Sequence, residues 1–252
     1  MIGVFKKIYI QLVTRLLALR YRTIAAVIRN LLAGKYLSGE GIEIGGLHNP
    51  LLLPSGLKVR YLDKMSSDEL RRVYPELKNR RLVKVDVVDD GETLNTLADE
   101  SLDFIIANHF LEHCRNPLRT VGRMYSSLKP GGTLFLTIPD KRYTFDSGRD
   151  VTPLEHLLEE YEHGADESYP EHVWDWVCKG LKLTGEAAER KAESLISNGG
   201  DGDMHVHCWD HAGIVEMALS FRNRMHLALE PELIYKNGNF ETVVILRKDI
   251  EP

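Results

Sequence analysis

Short apolar runs that end in glycine, aspartate or asparagine recur from residue 41 onward, with helically spaced stretches between them. Gly41-Ile-Glu-Ile-Gly45 reads as a first strand, Lys58–Asp63 as a second, Leu82-Val-Lys-Val-Asp86 as a third and Leu102–Asn108 as a fourth. Asp68–Val73 is a short helix candidate. Leu118, Val121, Met124 and Leu128 recur at three- and four-residue steps, which predicts a helix over Asn116–Leu128. Pro130-Gly-Gly132 stops it, and Thr133–Ile138 follows as a fifth strand. Later, His211–Arg222 suits a helix. Met225–Tyr235 and Phe240–Lys248 suit two strands joined through Lys236-Asn-Gly-Asn239. Strands alternating with helices predict an α/β fold, a mostly parallel sheet with helices on both faces.

Two segments depart from this rhythm. Asp140 to about Asp203 is acidic, aromatic-rich and helical around Pro153–His163 and Gly185–Ser197. It reads as an insertion or lid within a domain spanning 40–252, with too few apolar residues for a core of its own. Residues 1–39 form a basic arm. Phe5, Ile8, Leu12, Leu16 and Leu19 predict an amphipathic helix, and seven basic residues occur there with no acidic one. The whole chain has a formal net charge of -5, so the remainder carries -12. Charges interrupt every apolar run of the arm, whereas a spanning helix needs roughly 18–20 apolar residues. The arm therefore either packs on protein or lies, through residues 1–35, against an anionic membrane face.

Composition adds bounds. The chain has 252 residues, 43% of them hydrophobic and 27% charged, which is ordinary globular usage. Three dispersed cysteines without a CxxC argue against a disulfide framework and favour a reducing compartment, the cytoplasm.

In an open parallel sheet, ligands bind beyond the carboxyl ends of the strands. The residues expected there are Glu43, Gly45, Gly46, Asp63, Asp86, Asn108 to His113, Pro139 and Asp140. The glycine pair lets the backbone approach a ligand. An acidic side chain at the end of the second strand accepts the hydroxyls of a ribose. Such a sheet serves NAD or S-adenosylmethionine, and Glu43-Ile-Gly-Gly-Leu-His48 lacks GxGxxG. Acidic groups beside the loop repel a pyrophosphate and attract a sulfonium with its ammonium, which favours the second cofactor.

Ile42-Glu-Ile-Gly-Gly46, Leu102–His113 and Leu128-Lys-Pro-Gly-Gly-Thr-Leu-Phe-Leu-Thr-Ile-Pro139 resemble the motifs of class I S-adenosylmethionine-dependent methyltransferases, type 11 in particular. The resemblance covers about residues 41–140 and implies a Rossmann-like fold with S-adenosyl-L-methionine as cofactor. It implies that Glu43, Gly45 and Gly46 cradle the methionine part and that Asp63 holds the ribose. Asp86 and Val87 would border the adenine, with Asn108 and His109 on the pocket floor. The family commonly has a further glycine where this chain has Leu47-His48.

Methyl transfer to an alcohol gains from a general base. The candidates are His113, Asp140, His156, His205, His207 and Asp210, of which His113, His205, His207 and Asp140 are carried forward as catalytic. His205 and His207 share a face if Met204–Trp209 is extended. They would then act on the acceptor, pair structurally, or join Asp140 or His156 at a metal. Their spacing alone does not specify a metal, and no metal ligands are assigned. The insertion adds aromatics beside carboxylates, a sugar-site composition, and the Thr144-Phe-Asp146 and His205/His207 context is similar to methyltransferases of bacterial surface-glycan assembly. Three readings stay open: O-methylation of a saccharide or lipid-linked surface glycan; methylation of a small molecule or quinone-type lipid; and a non-catalytic assembly or binding domain of methyltransferase type. No basic aromatic stripe lies near the expected site, so nucleic acid is not an expected partner.

Overall fold

The computed structural model describes residues 24–75, 79–200 and 202–250. Its strands are β1 (Glu40–Ile44), β2 (Lys58–Asp63), β3 (Val87–Val88), β4 (Leu102–Asn108), β5 (Leu128–Pro139), β6 (Leu229–Asn237) and β7 (Glu241–Lys248). They form one sheet in the order β3-β2-β1-β4-β5-β7-β6. The first five run parallel, and β7 is antiparallel to both β5 and β6. The helices are α1 (24–36), α2 (Ser67–Val73), α3 (Pro117–Ser127), α4 (Leu154–His163), α5 (Tyr169–Asp175), α6 (Glu186–Asn198) and α7 (His211–Asn223).

The apolar pattern decides which side each residue takes. Central strand β4 is buried on both faces, so its sequence is a continuous apolar run and not an alternation. Ile105 and Ala107 join Ile42 and Ile44 in the larger core, beneath α3 and α7. Phe104 and Ile106 face the other way, under Ala33 and Leu37 at the end of α1. The outer ridge of α1 stays apolar, with Ile24, Val27 and Leu31 exposed beside Leu52. Helix α3 is bounded by a capping Asn116, whose side chain accepts the Arg119 N–H at 3.0 Å, and opens with Pro117. The amphipathic stretch Phe5–Leu19 lies outside the described residues. Among those described, no helix is long and apolar enough to cross a membrane.

Three sequence expectations are corrected. The third strand is Val87–Val88, paired with Leu62 and Asp63, and not Leu82–Asp86. Residues 83–86 satisfy their backbone elsewhere: the Val83 N–H donates to the Leu47 carbonyl, Val85 N–H to Ser67 Oγ and Asp86 N–H to the Tyr61 carbonyl. Strand β5 begins at Leu128, directly after α3, with a register irregularity against β4 between Leu102 and Phe104. The insertion has a small core of its own, in which Tyr169, Val173, Trp176 and Val177 pack on Ala188, Ala192 and Leu195 with Met204 and Val206.

The turn after β1 is held from behind. Glu43 is buried and its carboxylate accepts the Leu51 N–H at 2.9 and 3.1 Å. Burial drives its pKa up to about 7, against the opposing influence of the Leu51 N–H, the Asn108 side chain and Arg29. An acid with a raised folded-state pKa stabilises the fold below its unfolded value and loses that stability as pH rises toward 7. Glu43→Gln, which keeps an acceptor for Leu51 without ionising, is expected to match the parent near pH 4.5 and to exceed it above pH 7 by roughly 2–3 kcal/mol. Urea unfolding at the two pH values checks this, and an equal difference at both contradicts it. Gly41 sits opposite Phe104. A Cβ there would lie 2.2 Å from the Phe104 carbonyl oxygen, so Gly41→Ala should cost about 1–3 kcal/mol in the same assay.

Candidate active site

At the carboxyl ends of β1, β2 and β4 opens a cavity of about 460 Å³. Gly45, Asp63, Asn108, His109 and His113 line it, together with the Asp90-Gly-Glu92 loop that follows β3. Gly45 has a φ of +67°, and a Cβ built on it would meet nothing within 4 Å. The turn thus leaves open space at its crest, where a ligand approaches backbone. Asp63 is half-buried; burial raises its pKa, opposed by the backbone N–H groups of Met65 and Lys64. Gly91 is equally constrained, since a Cβ there would lie 2.7 Å from the Phe110 ring and 2.8 Å from Ile44. An open glycine crest beside an acidic strand end, in a cavity of this volume, fits the positively charged nucleoside that the sequence motifs imply.

The other cofactor candidates sit outside the lining. Glu43 points away from the cavity to Leu51, and Gly46 packs beneath it, where a Cβ would come 2.9 Å from the Tyr61 ring. The Asp86 carboxylate accepts the Tyr61 N–H at 3.1 Å, and Val87 is taken up in pairing with Leu62. Because β3 starts later than its apolar pattern indicates, Asp90–Glu92 reaches the cavity in their place. Asn108 accepts the Thr137 hydroxyl at 2.5 Å. His109, in a left-handed conformation at φ 50°, bridges two buried carboxylates. Its Nε2 lies 2.8 Å from Glu241 and its Nδ1 3.5 Å from Glu112. Burial opposes its protonation, but the two carboxylates carry its pKa to about 9.

His113 connects this cavity to a second hollow lined by Phe145, Trp176, Leu181, Lys191, Asp203 and His205. Its Nδ1 donates to the Met204 carbonyl at 2.9 Å, which leaves Nε2 as the acceptor. Burial lowers its pKa. His205 meets it edge-on, ring centroids 4.8 Å apart. His205 Nδ1 lies 2.6 Å from Asp146 Oδ2, so the ring is held with Nε2 directed elsewhere. Behind them Glu112 is buried, and neither of its carboxylate oxygens has a hydrogen-bond partner among the described residues. Its charge faces His109, His113 and His205.

Arg149 assembles this half of the site. Its buried guanidinium donates to Asp146 at 2.8 Å, to Asp175 at 2.6 Å and to the carbonyls of His205 and Val206 at 2.8 and 2.9 Å. Met204 and Val206 anchor the same segment in the insertion core, and the chain bends at Val206. His205 and His207 therefore diverge instead of sharing a face. His207 is fully buried, 3.3 Å from the Arg115 carbonyl and 3.4 Å from Glu160. Asp140 is also turned away: its carboxylate pairs with Arg142 at 2.5 and 2.9 Å, and its backbone bridges to Trp209. Asp210 caps α7 through the Gly213 N–H. Asp146 and Arg149 were not singled out as site residues in the sequence, although Asp146 stands in the Thr144-Phe-Asp146 context noted there, and Glu112 entered only within the Asn108 to His113 stretch, without a role.

The model of the methyltransferase-domain family matches residues 17–186. No curated protein sequence matches the chain. Among solved structures, a Pyrococcus horikoshii protein is 17% identical, with 91% of each chain covered and a TM-score of 0.50. A Rhodobacter sphaeroides protein named among Zn-dependent alcohol dehydrogenases is 13% identical, covering 87% of this chain and 88% of that one, with a TM-score of 0.51. A SAM-dependent methyltransferase of Methanosarcina mazei is 17% identical over 86% of this chain and 96% of that one, at a TM-score of 0.44. At such identities the likeness is one of fold. The family match spans well over half of the sequence, and with the strand order and the cavity at the strand ends already described it places the chain in the methyltransferase-domain family, as an S-adenosyl-L-methionine-dependent methyltransferase.

Proposed function

We propose that the protein O-methylates a hydroxyl of a saccharide, one carried on a lipid. The observation that carries this reading is the Asp146–His205 pair at the wall of the second hollow, beside His113 and open toward the cofactor cavity. Bound S-adenosylmethionine supplies an electrophilic methyl group on a sulfonium. That group is already reactive, so the chain's part is to hold donor and acceptor in line and to take the acceptor's proton. Asp63 accepts the ribose hydroxyls, and the Gly45 turn lies along the methionine part.

In the second hollow, the exposed Phe145 ring would lie beside a pyranose, with the largely buried Trp176 as part of the wall. His205 Nε2 would take the hydroxyl proton while the bound donor supplied its methyl group to that oxygen. Asp146 keeps the ring oriented, and the buried Glu112 carboxylate compensates the imidazolium that results. The apolar outer ridge of α1 (Ile24, Val27, Leu31) with Leu52 supports a lipid-linked acceptor, because it would rest on the membrane surface where such acceptors lie.

Asp63→Ala should weaken binding of the demethylated cofactor by about 1–3 kcal/mol through loss of charge-assisted hydrogen bonds, as read by calorimetry. Unchanged affinity would remove Asp63 from the ribose. His205→Ala should lower kcat by about 100- to 10,000-fold with little change in that affinity. Mass spectrometry of the product should place the methyl on oxygen; transfer to nitrogen or carbon would overturn the assignment.

A further inference from the structure

We infer that His156, Glu160 and His172 form a zinc site, separate from the cofactor and acceptor hollows, that staples α4 to α5. His156 and Glu160 are one helical turn apart on α4, and His172 comes from α5. Their donor atoms converge. His156 Nε2 is 3.1 Å from Glu160 Oε1, His172 Nε2 is 2.9 Å from the same oxygen, and the two ring nitrogens are 3.0 Å apart.

Hydrogen bonding accounts poorly for this triangle. If both nitrogens carry protons, two N–H groups crowd a single oxygen from directions only about 60° apart, closer than its lone pairs. If one is bare, its lone pair faces that oxygen's negative charge. The Ser168 hydroxyl also donates to Oε1. Meanwhile Oε2 of the same buried carboxylate has no hydrogen-bond partner among the described residues and meets only His207 Nε2, at 3.4 Å, a nitrogen that also faces the Arg115 carbonyl. A carboxylate serving only as acceptor would divide its donors between two oxygens.

A divalent ion removes the conflict. It replaces both ring protons, and each imidazole then gives a lone pair. Three donors about 3 Å apart can each lie about 2.0–2.1 Å from one zinc ion held roughly 1 Å above their plane, on the way to the tetrahedral spacing. Two imidazoles and one carboxylate, with no thiolate, form a set that zinc takes readily. His172 packs edge-on to the buried His207, ring centroids 4.5 Å apart, and His207 follows His205 by two residues. The ion would therefore fix the wall against which the base-bearing segment rests.

The test uses the full chain with any affinity tag removed, equilibrated with zinc, passed into metal-free buffer and assayed by elemental mass spectrometry. The expected result is about one zinc per chain. His172→Ala and Glu160→Gln should each lose it while circular dichroism stays that of the parent. A second readout needs no variant: zinc should raise the melting temperature of the stripped parent protein, and EDTA should reverse the rise. Parent protein that retains no more zinc than His172→Ala, or whose melting temperature ignores zinc, overturns the site. Neither readout involves methyl transfer, so the result is independent of the acceptor assigned above.

Discussion

The close parallel approach of β1 to β4 is the constraint on which the molecule depends. Gly41 lies against the Phe104 backbone with no room for a side chain. That approach places the ends of the two strands together, the Gly45 turn beside Asn108 and His109. It is also where the strand order reverses, because β1 leads outward to β2 and β3 while β4 leads the other way to β5. Loops leaving the sheet in opposite directions open a crevice there without any dedicated cavity-forming element. Were β1 displaced from β4, Asp63 and His109 would cease to face one hollow.

The two halves of the site rest on different physics. The first cavity is built from strand ends, and backbone geometry does most of the work. The second hollow is backed by a buried charge network. Arg149 is almost wholly desolvated, and a lone guanidinium in that position would be strongly unfavourable. Two carboxylates and two carbonyls satisfy it, so removing a partner leaves an uncompensated charge. The same network fixes the ring of His205. The fixed orientation of His205 is thus a by-product of satisfying Arg149.

This division explains what the sequence disclosed. Strands β1, β2 and β4 and helix α3 are legible because their signals are local: apolar runs, a capping Asn116 and a proline after it. Asp63, Gly45 and His109 follow from strand ends alone. The second hollow rests on pairs such as His205 with Asp146 and His113 with Met204, which join distant stretches of chain through the insertion. Alternation in Met204–Trp209 correctly separates the core-facing Met204 and Val206 from the histidines, but no local pattern announces the bend at Val206 that parts His205 from His207. The insertion core is not legible locally because Val173, Trp176 and Val177, although at helical spacing, find their partners in α6 and in the distant Met204–Val206 segment. Edge strand β3 failed for the opposite reason, since the better apolar alternation of Leu82–Asp86 belongs to a segment that bonds singly to a loop, to α2 and to β2 and forms no ladder.

The arm at the start of the chain also changes meaning once contacts are known. Its charge and amphipathic spacing set it apart from the rest in sequence, yet its described portion is tied into the domain. The Asn237 amide donates to the Ala25 carbonyl at 3.0 Å, and the Thr133 hydroxyl to the Tyr36 carbonyl at 3.3 Å. Arg29 lies 3.6 Å from Glu241, the carboxylate that also holds His109 at the cavity floor. Positive charge on α1 is therefore used twice: it offsets a buried acid shared with the active site, and it frees His109 from being the sole cation beside Glu241. Helix α1 belongs to the support of the cavity as much as to the protein's outer surface, since Arg29 and His109 meet on the same Glu241 carboxylate.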